Sequence, residues 1–282
     1  MPLPLCLLPL WLSTRPALAG GFEPMLRADL GASYWDEGAK IAAYPGMQAH
    51  LWGEEDSLLF GDTFLRVEAV AVATPSYARL GPRVTFSPIA VFEVSAHYLG
   101  SAYFGTFSSI KGFDDPDTIY TDEALDAEER GPGLGTVWGA EATLQGKVGP
   151  VVVATFGDVK GWDVWPSEVV DGAYWWEPEI ELLLSRHDMT WAINGVLLYE
   201  HLFDESIGRK LYVGAMFSRA TGIDTGDTWM RVGPMANFSL DRRWSFLLLV
   251  QAYLEDRVYT EPLPPYVGAR VRWTWQRKEP AG

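Results

Sequence analysis

The sequence predicts an all-β protein, an antiparallel transmembrane β-barrel of about twelve strands, and three observations carry that prediction. Apolar and polar residues alternate with period two over segments of roughly ten residues, twice the usual globular strand length and enough to cross a bilayer at a tilt. Aromatic residues crowd the ends of these segments, as at Trp35, Tyr98, Trp138, Trp162, Trp165, Trp229, Trp244, Trp273 and Trp275. The apolar faces hold no Asp, Glu, Lys or Arg, as lipid contact demands, because charge at mid-bilayer costs about 2–4 kcal/mol.

The alternation is clearest near the C-terminus. Val267, Ala269, Val271, Trp273 and Trp275 oppose Tyr266, Gly268, Arg270, Arg272, Thr274 and Gln276. Trp244, Phe246, Leu248, Val250, Ala252 and Leu254 form the apolar face of the segment before it, and Met230 to Leu240 repeats the pattern around Arg231. Upstream, Leu80, Val84 and Phe86 oppose Arg79 and Arg83, while Phe92 to Tyr98 and Leu134 to Leu144 alternate in the same way. Tyr174 to Leu184 places Trp176, Pro178, Ile180 and Leu182 against Glu177, Glu179 and Glu181, and is read as a further strand. Leu26–Trp35, Leu58–Ala73, Pro150–Asp163, Met189–Tyr199 and Lys210–Ala220 complete the set.

Residues 1–19 form an apolar stretch ending in Ala17, Leu18 and Ala19, which reads as a cleaved signal peptide, leaving 20–282 as the barrel. The single cysteine, Cys6, lies in that leader, as suits export to an oxidising compartment. Beyond it no run of 18 apolar residues occurs, so the membrane is not crossed by helices.

Net charge is −15, and removing Arg15 with the leader leaves 21 basic against 37 acidic residues. Nucleic-acid binding, which needs a basic face to displace counterions, is excluded.

Long polar loops are expected near 105–133 and 157–171. Alternating up and down from the C-terminus places the 105–133 loop among the short turns. That conflict implies one miscounted strand, either between Pro150 and Lys210 or around Gly46 to Leu59.

Tyr266, Gly268, Val271 and Trp273 match the spacing of the C-terminal assembly signal of bacterial outer-membrane proteins. The chain departs from that pattern by continuing past Trp275 rather than ending on an aromatic. Leader, strand pattern and signal together resemble that class. The resemblance implies residence in the outer membrane, contact with its lipid and recognition by the barrel-assembly machinery.

Charge on the inward faces suggests what the lumen does. Glu177, Glu179 and Glu181 form a carboxylate ladder, and Arg79, Arg83, Arg231, Arg270 and Arg272 are expected to share one wall near the seam, facing that ladder. Opposed rows of this kind resemble a porin constriction and point to a narrow charge-lined channel for small solutes or ions. A closed structural or interaction barrel is the alternative.

A third reading is an envelope-lipid hydrolase, resting on Glu93, Ser95 and His97. Their order departs from the His-x-Ser of the outer-membrane deacylases they resemble, and no catalytic residue is assigned. The acidic loop from Lys111 to Arg130 lacks the ordered spacing of a calcium loop, and neither a metal nor a cofactor is expected.

Overall fold

A computed structural model describes residues 21–34, 38–52, 63–106, 110–117, 131–167, 172–256 and 264–276. The leader with Cys6, Trp35 and the acidic residues from Asp122 to Glu129 lie outside them.

Twelve antiparallel strands close into one barrel: β1 (Glu23–Tyr34), β2 (Ala39–His50), β3 (Phe64–Ala73), β4 (Tyr77–Ile89), β5 (Phe92–Phe104), β7 (Pro132–Val148), β8 (Val151–Pro166), β11 (His187–Asp204), β12 (Arg209–Gly222), β13 (Thr228–Ser239), β14 (Trp244–Asp256) and β15 (Tyr266–Gln276). Three short strands, β6 (Gly112–Phe113), β9 (Tyr174–Glu177) and β10 (Leu182–Ser185), form a separate sheet in the order β10-β9-β6. Full closure pairs β1 with β15 from Met25–Gln276 to Tyr34–Val267 and leaves no open edge.

Period-two alternation fixes which side chains meet lipid. Leu30, Ile41, Leu80, Leu134, Leu197 and Leu248 are all more than half exposed on the outer surface, whereas Asp29, Glu68, Arg79 and Arg231 on the inner one are buried. Tyr34, Phe104 and Trp165 mark one rim, and Tyr199, Phe203, Trp244 and Trp275 the other. Trp162 and Trp229 depart from the expected girdle, because both point inward and are almost fully buried.

The strand count matches the expectation through two compensating differences. Ala39–His50 is a barrel strand that the alternation did not reveal, since Ala42, Ala43, Pro45, Gly46 and Ala49 dilute its pattern. Tyr174–Leu184 is not a barrel strand. It breaks at Pro178, turns through Glu181 at φ 53°, and folds back as the β9–β10 hairpin. The expected Pro150–Asp163 strand overlapped the loop expected from 157 to 171, and the structure extends the strand, as β8, through Pro166, paired with β7 as far as Gly133.

These corrections settle the sidedness of the connections. The 105–131, 167–186 and 257–265 connections leave from one end, with the short Ser33–Gly38 and Thr74–Tyr77 turns. Turns at 90–91, 149–150, 205–208 and 240–243 lie at the other, from which the 51–63 connection leaves and where strands β1 and β15 have their Glu23 and Gln276 ends. We call these the loop end and the turn end.

Candidate functional site

The β9–β10 hairpin occupies the loop-end half of the lumen. Trp175, Leu182 and Leu184 pack into an apolar cluster with Tyr77, Tyr103, Ile110, Val137, Trp162, Val164, Ala220 and Trp229, so inward faces of several wall strands contribute to one core. Phe113 of β6 joins Trp176 and Leu183 in a second cluster, tying the 105–131 connection to the same plug. Leu182, Leu183 and Leu184 are consecutive and all fully buried, which is possible only because the hairpin has protein on both faces.

Polar anchors fix the hairpin to the wall. On β4, Arg79 donates to Glu177 at 2.8 Å and also pairs with Glu179, while the Tyr103 hydroxyl donates to the other Glu177 oxygen at 2.8 Å. Lys40 of β2 donates to Glu179 at 3.1 Å. On β13, Arg231 donates to both oxygens of Glu181 at 3.0 and 3.1 Å, with the Tyr253 hydroxyl as a further donor. Arg231 also stacks over Trp229, 3.8 Å from the ring centroid. Trp229 Nε1 donates to the Ile180 carbonyl at 2.6 Å. Asp227 accepts from Leu183 N at 2.7 Å, and Thr225 donates to the Leu183 carbonyl at 2.8 Å.

The two hairpin glutamates nearest β4 differ in their electrostatics. Burial pushes the Glu177 carboxyl above the usual carboxylate range despite Arg79. Burial acts on Glu179 in the same direction, but Lys40, Arg79 and Lys160 outweigh it and hold that carboxyl well below the range.

The expected carboxylate ladder therefore does not line the barrel wall. Glu177, Glu179 and Glu181 sit on the plug, where positive φ at Glu181 and the turn before it send the third glutamate to the opposite wall from the first two. The five arginines all face inward but do not share one wall. Arg79 and Arg83 are on β4, Arg231 on β13, and Arg270 and Arg272 on β15. Arg83 donates to Glu141 at 2.7 Å, and Arg272 makes two 2.8 Å bonds to Asp29 across the seam.

Below the plug the lumen holds adjoining cavities. A cavity of about 100 Å³ under Glu179 is bounded by Lys40, Tyr44, Arg83 and Glu141. The same four residues help to line a larger one of about 480 Å³. That cavity in turn shares Glu93 and Thr143 with a third, of about 380 Å³, at the turn end beside His50, Arg66 and Gln276.

Charge in the 480 Å³ cavity is unevenly distributed. Arg27 of β1 and Arg270 and Arg272 of β15 line one side around Asp29, and Glu93 of β5, Glu141 of β7 and Asp158 of β8 line the other beside Arg83 of β4. The two groups stand across the strand order from each other. Opposed rows thus exist, but the acidic row is Glu93, Glu141 and Asp158. Glu93 and Glu141 were legible as inward residues of alternating strands. Asp158 lies within the expected Pro150–Asp163 strand, but the overlap of that strand with the loop expected from residue 157 left its face unassigned.

Ser95 and His97 also face this lumen. Ser95 accepts from Arg83 at 3.0 Å and lies 3.4 Å from Glu141, while His97 Nδ1 lies 3.7 Å from Glu141, so both are drawn to one carboxylate rather than to each other. Tyr266, Gly268, Val271 and Trp273 occupy β15, the strand that closes the seam. The Tyr266 ring lies over the open face of Gly268, within 3.1 Å of where a Cβ would stand, and Arg231 lies 4.2 Å from its centroid.

No family model and no curated protein matches the chain. Solved structures do. The beta domain of the Bordetella autotransporter BrkA is 8% identical, with a TM-score of 0.52 over 91% of this chain and 100% of that one. The NanC porin is 6% identical, with a TM-score of 0.43 over 90% and 100%. The translocator domain of the autotransporter NalP from Neisseria meningitidis is 13% identical, with a TM-score of 0.40 over 91% and 88%. The fold shared with the BrkA domain, together with the closed twelve-strand topology, is that of the bacterial outer-membrane β-barrels.

Proposed function

We propose that the protein is an outer-membrane channel for small solutes or ions, narrow and charge-lined, entered from the periplasm at the turn end and throttled at the outer end by the β9–β10 hairpin. Long loops outside and short turns in the periplasm are the rule for the fold, which gives this orientation. One observation carries the reading: three adjoining cavities lie between the turn-end mouth and the underside of Glu179, walled by charged residues of both signs rather than filled by side chains. A barrel serving only as a structural element would gain stability by filling that space. Tyr266, Gly268, Val271 and Trp273 serve, in the same reading, as the signal by which the assembly machinery receives the last strand.

The test is single-channel recording of the refolded protein in planar bilayers. Small, reproducible conductance steps support the channel, and their absence at every voltage supports a closed structural barrel instead.

A further inference from the structure

Three of the four acidic residues of the largest cavity have a basic partner. Asp29 takes both bonds from Arg272, Glu141 takes Arg83, and Asp158 lies 3.6 Å from Lys160. Lys40 is directed at Glu179 of the plug. Arg27 and Arg270 remain, and neither makes a hydrogen bond or ion pair to a carboxylate among the described residues. The Arg27 guanidinium lies over the Tyr44 ring, 3.9 Å from its centroid, a contact that holds the side chain without neutralising it.

The backbone keeps this wall accessible. Arg270 is paired with Gly31 and Arg272 with Asp29, so along the seam one carboxylate is set among three guanidiniums. Gly31, Gly157 and Ala42 line the cavity and project little or nothing into it, and a Cβ built at Gly31 would meet nothing nearer than 3.6 Å. Space of about 480 Å³ therefore adjoins two guanidiniums that share the single nearby carboxylate of Asp29 with Arg272 and make no direct bond to it.

We propose that Arg27 and Arg270 form an anion-binding site in the lumen that takes a small solute bearing a carboxylate or phosphate group. Guanidinium forks match the planar oxygens of both groups, and a water-filled cavity with protein walls strengthens the attraction. Glu93, on the facing strand β5, lines the same cavity and has no ion-pair partner among the described residues, so it repels the same solute and sets an upper limit on its negative charge. This site deepens the channel reading by naming the solute class, and it rests on the lumen being open from the turn end.

Calorimetric titration of the protein refolded in detergent, with citrate and separately with inorganic phosphate at low salt, tests the site without requiring conductance. Saturable binding of either anion is expected, with citrate preferred if carboxylates are the natural class and phosphate preferred if phosphoesters are. The double variant Arg27→Gln, Arg270→Gln should weaken binding by about tenfold or more, whereas Glu93→Gln should strengthen it, since it removes a like charge. Folding of each variant is checked by its heat-dependent gel shift. If the double variant fails to fold, Glu93→Gln alone still decides. Unchanged or weaker binding in Glu93→Gln, or no binding by the wild type, overturns the site. Binding without any conductance would keep the site and remove the channel. Conductance without binding would keep the channel and remove the site.

Discussion

Arg79 and Arg231 stand on strands β4 and β13, six strands apart in either direction around the twelve-strand barrel, and each holds a glutamate of the same hairpin. The plug is thus strapped across the full width of the lumen rather than hung from one side. Its apolar residues fill the space between the straps, so ion pairs and packing depend on each other.

Removing one strap should be costly. Arg231→Met leaves Glu181 buried with, among the described residues, only the Tyr253 hydroxyl as donor, and breaking a buried pair in this way costs about 3–5 kcal/mol. The temperature of the heat-dependent gel shift should fall clearly. The double variant Arg231→Met, Glu181→Leu should recover much of the loss, because no buried charge is then left alone. Equal loss in single and double variants would mean that the pair is not coupled.

The outer and inner faces should differ in their tolerance of charge. Leu248 and Ala140 face outward on β14 and β7, and Arg at either should impair membrane assembly by about 2–4 kcal/mol at mid-bilayer. Arg at Thr143, which lines the lumen cavity, should be tolerated. Gln251 is inward too but would not tolerate Arg, being almost fully buried and donating to Ser218 and the Met216 carbonyl. Recovery of folded protein from outer membranes measures all four, and equal yields at Leu248 and Thr143 would contradict the lipid-facing assignment.

Assembly is tested at the last strand. Trp273→Asp should abolish insertion if the signal is read there, whereas Trp244→Asp, at its ring neighbour 6.4 Å away on β14, should only reduce it. Deleting residues 277–282 should leave insertion intact. Identical behaviour of the two tryptophan variants would show that only local packing is at stake.

Mild acid should not release the plug. Glu179, held low by Lys40, Arg79 and Lys160, contributes stability that is fully present above its unfolded pKa and is lost only as pH falls through its depressed folded value. Glu177 is raised, so the native state takes up its proton first, and that uptake favours the folded form as pH falls through the raised value. From pH 7 to about pH 5 the gel-shift temperature should therefore hold or rise slightly, with the decline confined to pH well below about 4. Glu177→Gln, which mimics the protonated state, should remove any rise. A steep loss between pH 7 and pH 5 would contradict the electrostatics described for the hairpin.

Most of the wall was readable in the sequence because lipid on one side and a polar lumen on the other impose period two wherever the side chains are large enough to show it. β2 escaped because small residues and Pro45 carry its pattern weakly. The hairpin misled for the opposite reason, since burial on both faces produced apolar residues at the spacing a strand would show. Pro178 in mid-segment was the local signal against a barrel strand. Inward arginines were legible from alternation alone. Their partners were not, because pairing across a lumen depends on strand order, and one misplaced strand moves every cross-lumen neighbour.

On the reading proposed above, the β9–β10 hairpin narrows a charge-lined lumen at its outer end without sealing it. Single-channel conductance of the wild type and of a variant in which residues 174–185 are replaced by a short Gly-Ser linker tests it most directly. The account predicts small steps in the wild type and a several-fold larger, stable conductance in the variant, with both proteins folded by the heat-dependent gel shift. Equal conductance in the two, or none in either, would contradict it.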